Sequence, residues 1–249
     1  MKTALYLLFL LTPCLYAGSV ISKPEPGPTA VPIGRITMGT GGSGSIKFVG
    51  PPITSAGSGY SADITEDWNC ADSGTLTCDL TWTENGTGAL EIVGNKVETI
   101  TGNGDPSNAH TTSAMATDDH CAQAVLTLNG SGNTRIYGGL KVRDDGSDTY
   151  YRGDIRNDSA TANQVRIVEV TAGSEATLVT DTFTQSNGTP YEVRFCANGS
   201  ALELYVDDVL ELSTTDASIT GNTLTGIHLR NNTGSAITSA DNFEAGTID

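Results

Sequence analysis

Tyr191-Glu-Val-Arg-Phe-Cys196, then Asn198-Gly199, then Leu202-Glu-Leu-Tyr-Val206: this stretch decides the fold class. Tyr191, Val193 and Phe195 alternate with Glu192 and Arg194, and Leu202, Leu204 and Val206 alternate with Glu203 and Tyr205. A period of two places the apolar set of each run on one face of a pleated strand. Asn-Gly between two such runs marks a hairpin, because both residues tolerate positive φ. The same texture repeats outward, in Ala124–Leu128, Arg135–Val142, Thr149–Arg156, Gln164–Thr171, Ala176–Phe183 and Thr225–Arg230, with Asp145-Gly146 and Asn187-Gly188 as punctuation. The loop Asn129-Gly-Ser-Gly-Asn133 predicts a further hairpin between the first two of those runs. Apolar residues nowhere recur at helical spacing over eleven residues, and no fixed-period repeat is present, so the sequence predicts an all-β sandwich or barrel.

Composition narrows the function. Of 249 residues, 29 are acidic and 13 basic, a formal charge of −16. Nucleic acid and anionic membrane surfaces repel such a chain unless its few cations are gathered on one face. Met1-Lys2, the apolar run Ala4–Leu11 and the small residues at Ala17-Gly18 read as a secretory signal peptide over 1–18, because eight apolar residues are too few to span a bilayer. Residues 19–60 carry six prolines and Gly39-Thr-Gly-Gly-Ser-Gly-Ser45, the composition of a flexible linker with one short strand at Ser45–Val49. The folded domain then spans 61–249, in a secreted, extracellular or cell-surface protein without membrane insertion.

Past the signal, Cys70, Cys78, Cys121 and Cys196 remain, an even number suited to an oxidising compartment. Four cysteines allow three pairings. The eight-residue separation across a loop favours Cys70–Cys78, which leaves Cys121–Cys196 to tie distant strands. His110, His120 and His228 fit no zinc spacing.

Tyr191-Glu-Val-Arg-Phe, Ala201-Leu-Glu-Leu-Tyr-Val-Asp-Asp-Val, Thr225-Gly-Ile-His-Leu and Ala240-Asp-Asn-Phe-Glu-Ala-Gly, in this order, resemble the closing strands of a concanavalin A-like (laminin G-like) jelly roll of bacterial or phage-associated type. Asp63 to Trp82 is similar to the first segment of such domains. The resemblance covers about 61–249 and implies an antiparallel β-sandwich jelly roll whose relatives include lectins, glucanases and polysaccharide lyases, so the fold alone does not settle the activity. Glucanases resemble one another in a strand Glu-x-Asp-x-x-Glu; Glu203-Leu-Tyr-Val-Asp207-Asp208 has the wrong spacing, so that activity is not expected. The resemblance also implies a structural Ca²⁺ where first and last strands meet, which would join Asp63 and Asp241. Asp144-Asp145-Gly-Ser-Asp148 is oxygen-rich but lacks an EF-hand glutamate, and reads as a solvated turn.

Alternation also sorts the central strands by face. With Ile136, Leu140 and Val142 inward, Tyr137, Lys141 and Arg143 point outward. With Tyr151 and Ile155 inward, Tyr150, Arg152, Asp154 and Arg156 point outward, and Ile227 and Leu229 leave His228 and Arg230 on that side. Arg135, Lys141, Arg143, Arg152, Arg156 and Arg166 cluster within 32 residues of an acidic chain. The sequence therefore predicts a shallow groove for a glycan, with an anionic polysaccharide among the candidates, over Tyr137, Lys141, Arg143, Tyr150, Arg152, Asp154, Arg156, His228 and Arg230. Arg152 is expected to be exposed and dispensable for stability. The functional reading is a non-catalytic, lectin-like module at a cell surface or matrix. An adhesive or virion protein without a sugar site is the alternative, and a polysaccharide lyase with Tyr150 or His228 as base ranks third.

Overall fold

The computed structural model describes residues 60–100, 106–130, 136–157, 163–231 and 236–248. Fifteen strands and no helix make up the described residues: β1 (Ile64–Glu66), β2 (Trp82–Gly86), β3 (Leu90–Ile92), β4 (Val97–Thr99), β5 (Pro106–Thr111), β6 (His120–Asn129), β7 (Ile136–Asp144), β8 (Tyr150–Asn157), β9 (Gln164–Thr171), β10 (Ser174–Thr182), β11 (Pro190–Asn198), β12 (Ala201–Val206), β13 (Val209–Thr215), β14 (Leu224–Asn231) and β15 (Ile237–Thr247). They form two antiparallel sheets, a jelly-roll sandwich. One runs β13-β12-β11-β6-β15-β4-β3 with β1 also on β15, and the other β10-β9-β8-β7-β14-β5-β2. The signal peptide, nearly all of the linker, the strand expected at 45–49 and Arg135 lie outside the described residues.

The hairpin decided by Asn198-Gly199 forms as expected, with Asn198 opposite Ala201. A second tight hairpin turns at Asp207-Asp208, both left-handed. The hairpin expected across Asn129–Asn133 does not form. β6 pairs with β11 and β15 in one sheet, β7 with β8 and β14 in the other. Gly and Asn signal a change of direction but not which sheet the chain enters next. β2 and β5 escape the alternation rule as well, and β3 and β4 are too short to reveal it: β5 reads Pro-Ser-Asn-Ala-His-Thr, with little apolar pattern beyond Ala109.

Between the sheets lie the inward rows: Ile136, Leu140, Tyr151, Ile155, Ile167, Ile227 and Leu229 from one, Leu126, Val193, Phe195, Leu204 and Phe243 from the other. Gly153 permits a close approach of the two sheets, since a Cβ there would lie 2.7 Å from the Phe195 ring. At one end Trp68, Trp82 and Phe243 stack at 5.1–6.5 Å between ring centres, joining β2 to β15. Glu66 closes that end: its buried carboxylate accepts from the backbone of Trp68, Asp79 and Leu80.

Both expected disulfides are present. Cys70–Cys78 closes a local loop, and Cys121–Cys196 joins directly opposed residues of β6 and β11 that are 75 apart in sequence. By loop-closure entropy, replacing Cys121 and Cys196 by alanine should cost about 4 kcal/mol, and replacing Cys70 and Cys78 about 2–3 kcal/mol. Urea unfolding checks the order; a larger loss from the short loop contradicts it.

Candidate functional site

The outward side of the seven-stranded sheet is the one the alternation predicts. Its register sets rows of neighbours: Arg230–Tyr137–Arg156–Gln164, then Asn108–His228–Gly139–Asp154–Arg166, then Gly226–Lys141–Arg152–Val168, with Tyr150 opposite Val170. Tyr137, Lys141, Tyr150, Arg152, Asp154, Arg156, His228 and Arg230 therefore share one face.

Arg143 does not. Between Lys141 and Asp144 β7 carries one residue more than β14 opposite, and Arg143 sits at φ 50° in that bulge. A bulge reverses the alternation beyond it. Asp144 takes the outward place and pairs with Lys141 at 2.5 Å, both fully buried. Arg143 turns toward the strand ends, where it donates to Asp119 Oδ1 and to the carbonyls of Asp118, Gly199 and Ile219. It is a structural clamp between loops.

Arg152 corrects a second expectation. Its side chain has no exposure. Nε donates to Asp154 Oδ2 at 2.9 Å and Nη1 to Glu175 Oε1 at 2.9 Å, while Arg166 grips Asp154 through Nε at 2.9 Å and Nη2 at 2.7 Å. One carboxylate thus holds two guanidiniums from adjacent strands. Arg152 Nη2 has no hydrogen-bond partner. Gly139 makes this arrangement possible: a Cβ there would sit 2.8 Å from the Asp154 Cβ and 3.2 Å from the Arg152 Cγ.

Beside the network a pocket of about 190 Å³ opens, floored by Tyr150, Val170, Asn108 and His228 and walled by Glu175, with Gly86 and Gly173 at its lips. Both lip glycines have positive φ, and a Cβ on Gly86 would strike the Pro106 carbonyl at 2.7 Å. The volume is below the roughly 300 Å³ at which drug-sized ligand sites begin, and matches a single small ring. The ring of Tyr150 packs with Val168 and Val170 on one side and lies under the Lys141 ammonium at 4.8 Å.

Charge is strongly biased here. His228 Nδ1 lies 2.5 Å from Asn108 Oδ1 and 3.5 Å from Arg152 Nη1. Burial first, then Arg152, Lys141, Arg166 and Arg230, hold His228 well below its ordinary pKa, so the ring is neutral. Burial also depresses Lys141, against Asp144, and raises the Tyr150 phenol, against Arg152. For Glu175 burial pushes the carboxyl up, but its bond to Arg152 and the charges of Arg152, Arg166 and Arg230 prevail and keep it ionised. Three guanidiniums, Arg156, Arg166 and Arg230, surround the Tyr137 ring at 4.8, 5.1 and 5.7 Å.

Sequence reasoning missed Asn108, Glu175 and Asp144, and left Arg166 out of the site. Arg166 carried a signal, because Gln164, Arg166 and Val168 alternate with Val165 and Ile167. Asn108 carried none, since β5 is invisible to periodicity.

Asp63 and Asp241 are not brought together. Ile64 pairs with Ala245, so Asp63 lies beside Gly246, where it accepts from Thr247 N. Asp241 is four ladder positions away, about 13 Å at ~3.3 Å per residue. The one acidic group among the described residues close enough to share a cation is Glu66, Asp67 and Asp79. Asp67 and Asp79 are exposed oxygen donors that would suit Ca²⁺, whereas backbone N–H groups already occupy both Glu66 oxygens. In the 144–148 turn the carboxylates of Asp144 and Asp145 accept from Gly146, Ser147 and Thr149, as a closed turn does.

No family model matches the sequence, and no curated protein matches it significantly. Among solved structures, the carbohydrate-binding module CBM66 from Bacillus subtilis is 18% identical, with a TM-score of 0.53, covering 68% of this chain and 98% of that one. The Emp47p carbohydrate recognition domain is 8% identical at 0.57, covering 76% and 97%. An endo-beta-1,3-glucanase from Pyrococcus furiosus is 9% identical at 0.56, covering 78% and 97%. At these identities the likeness is one of fold, the concanavalin A-like sandwich.

Arg152→Ala should therefore destabilise the protein by about 3 kcal/mol, the usual cost of breaking a buried pair, read as a lower urea midpoint. An unchanged midpoint restores the exposed-arginine expectation. Acidity should act in the same direction. His228 titrates well below the unfolded value near 6.5, and burial brings His120 down to about 4. The unfolded chain then binds more protons below pH 6.5, so stability falls with pH there, by up to about 1.4 kcal/mol per unit for each histidine. The difference in slope between the native protein and His120→Gln or His228→Gln measures it; parallel slopes contradict neutral histidines.

Proposed function

We propose that the pocket on the seven-stranded sheet seats one sugar ring of a glycan, and that the protein is a secreted, non-catalytic carbohydrate-binding module acting at a cell surface or matrix. The observation that carries this reading is the pocket itself: the accessible edge of the Tyr150 ring and a valine as its apolar lining, set against Asn108, His228 and Glu175 as polar partners. Both disulfides and the fold shared with a carbohydrate-binding module and a carbohydrate recognition domain support it. Calcium, if bound, would lie at Asp67 and Asp79, away from this pocket.

The electrostatics argue against catalysis. A glycosidase needs one protonated and one ionised carboxyl at the cleaved bond. Here Glu175 is held ionised by Arg152, and Asp154 is bound by two guanidiniums. A lyase needs a base, but burial makes the Tyr150 phenol harder to ionise, and burial together with four nearby cations opposes protonation of His228.

A glycan array followed by calorimetry tests the reading. Tyr150→Ala and Glu175→Gln should each weaken binding at least tenfold, and no unsaturated uronate ends should accumulate by ultraviolet absorbance. Binding that survives both substitutions places the sugar elsewhere, and rising absorbance makes the protein a lyase.

A further inference from the structure

Among the described residues that line the pocket, the carboxyl groups are those of Asp148 and Glu175, and none is lysine or arginine. Lys141 and Arg152 lie close by but buried, and each is matched: Lys141 by Asp144, Arg152 by Asp154 and Glu175. Glu175 reaches the pocket by register, since Tyr150, Val170 and Glu175 are opposed across β8, β9 and β10. Arg152 takes its Oε1 at 2.9 Å, which leaves Oε2 as an acceptor on a side chain that is 47% exposed. Asp148 reaches it through a series of turns. Asn85 stands on β2, with β5 and β14 between it and β7 in the sheet order, yet its Nδ2 donates to the carbonyls of Gly146 and Ser147 at 3.0 and 3.1 Å. The sheet therefore curls far enough for β2 to grip the β7–β8 turn. The carbonyl of Asp148 in turn accepts from Gly173 N at 3.0 Å. Its backbone is held from both sides, and its exposed side chain stands at the wall.

We infer that Asp148 and Glu175 are the specificity-determining pair of the pocket, and that the ring it takes is an uncharged sugar whose hydroxyls donate to both carboxylates, not a uronate or a sulfated residue. The inference rests on the pocket reading and adds to it the class of sugar. A hydroxyl donating to a carboxylate makes a charge-assisted bond, shorter and stronger than one between neutral groups. A uronate or sulfate group offers acceptors alone, and would set its own charge against two acceptors of the same sign. The pair thus attracts one class of ring and rejects the other, which is what discrimination requires. Asn85 touches no ligand in this scheme and is a positioning residue. Its two bonds order the turn before Asp148, so that the wall does not have to be immobilised on binding.

An array printed in matched sets tests it on the full chain: glucan, mannan, galactan and fructan oligomers, each beside its C6-oxidised uronate and its sulfated derivative. The native protein should hold the neutral member of a set at least tenfold more tightly than either charged one, and the gap should narrow as salt rises. Asp148→Asn keeps the shape and removes the charge; it should weaken the neutral glycan at least threefold and shrink the gap. Asn85→Ala should reproduce that loss, and Asn85→Asp should exceed it, because a carboxylate would then face the two carbonyls. A residue that only filled space would give the opposite order, so equal or milder effects of Asn85→Asp remove the positioning role. Equal or tighter binding of a charged member, abolished by Tyr150→Ala, overturns the inference and keeps the pocket reading. A neutral preference that Asp148→Asn and Glu175→Gln both leave unchanged, but whose affinity falls in Tyr150→Ala, does the same. Affinity that survives Tyr150→Ala and Glu175→Gln undiminished removes the pocket and the inference together, as does a native protein that binds no member of any set.

Discussion

Asp154 is the constraint around which the functional face is organised. A carboxylate with no solvent exposure must be compensated by charge and hydrogen bonds. Arg152 on the same strand and Arg166 on the next provide three bonds to its two oxygens. This fixes both guanidiniums, and with them the orientation of Glu175, which Arg152 holds with its other arm. The wall of the pocket is therefore positioned from beneath. Gly139 is part of the same constraint, because any side chain there would displace the Asp154 Cβ from the row it occupies.

Stability alone does not account for such a face. Replacing buried ion pairs by well-packed apolar residues is often neutral or stabilising, and Val168 and Val170 show that this sheet accommodates valine on the outward side. The core between the sheets supplies the cohesion, through Phe195 and Leu204 against Gly153 and the Trp68–Trp82–Phe243 stack. The outward network contributes rigidity of a particular geometry: side chains already placed, with their rotamer entropy lost on folding rather than on binding. That is what a binding surface needs and a supporting sheet does not.

Much of this was legible in the residues, and the failures have physical causes. Period-two alternation assigned Tyr137, Lys141, Tyr150, Arg152, Asp154, Arg156, His228 and Arg230 to one side, because a strand's pleat leaves only two choices. It failed at Arg143, where one extra residue in β7 reverses the parity and sends Asp144 to Lys141. Alternation also says which side a residue faces but not how deeply it is covered, so Arg152 read as exposed. Neighbours across strands are set by register, which a single sequence does not contain; hence Glu175 and Asn108, each brought to the pocket by a strand with little pattern of its own, went unseen. The Asn129–Asn133 loop failed for a related reason: turn chemistry is local, and whether two strands pair in one sheet or face each other across the core is not.

The two outer faces of the sandwich differ in the charged side chains that their described residues carry. On the eight-stranded sheet, Glu192 and Glu244 flank Arg194, with Glu203, Asp207 and Asp208 on the adjoining strand and its turn. Burial and then Asp208 and Glu244 raise the Glu192 carboxyl, which marks the region as crowded with negative charge. The opposite sheet gathers the arginines. Among the described residues charge is thus sorted by sheet, because period-two alternation keeps each strand's polar set on a single outer face.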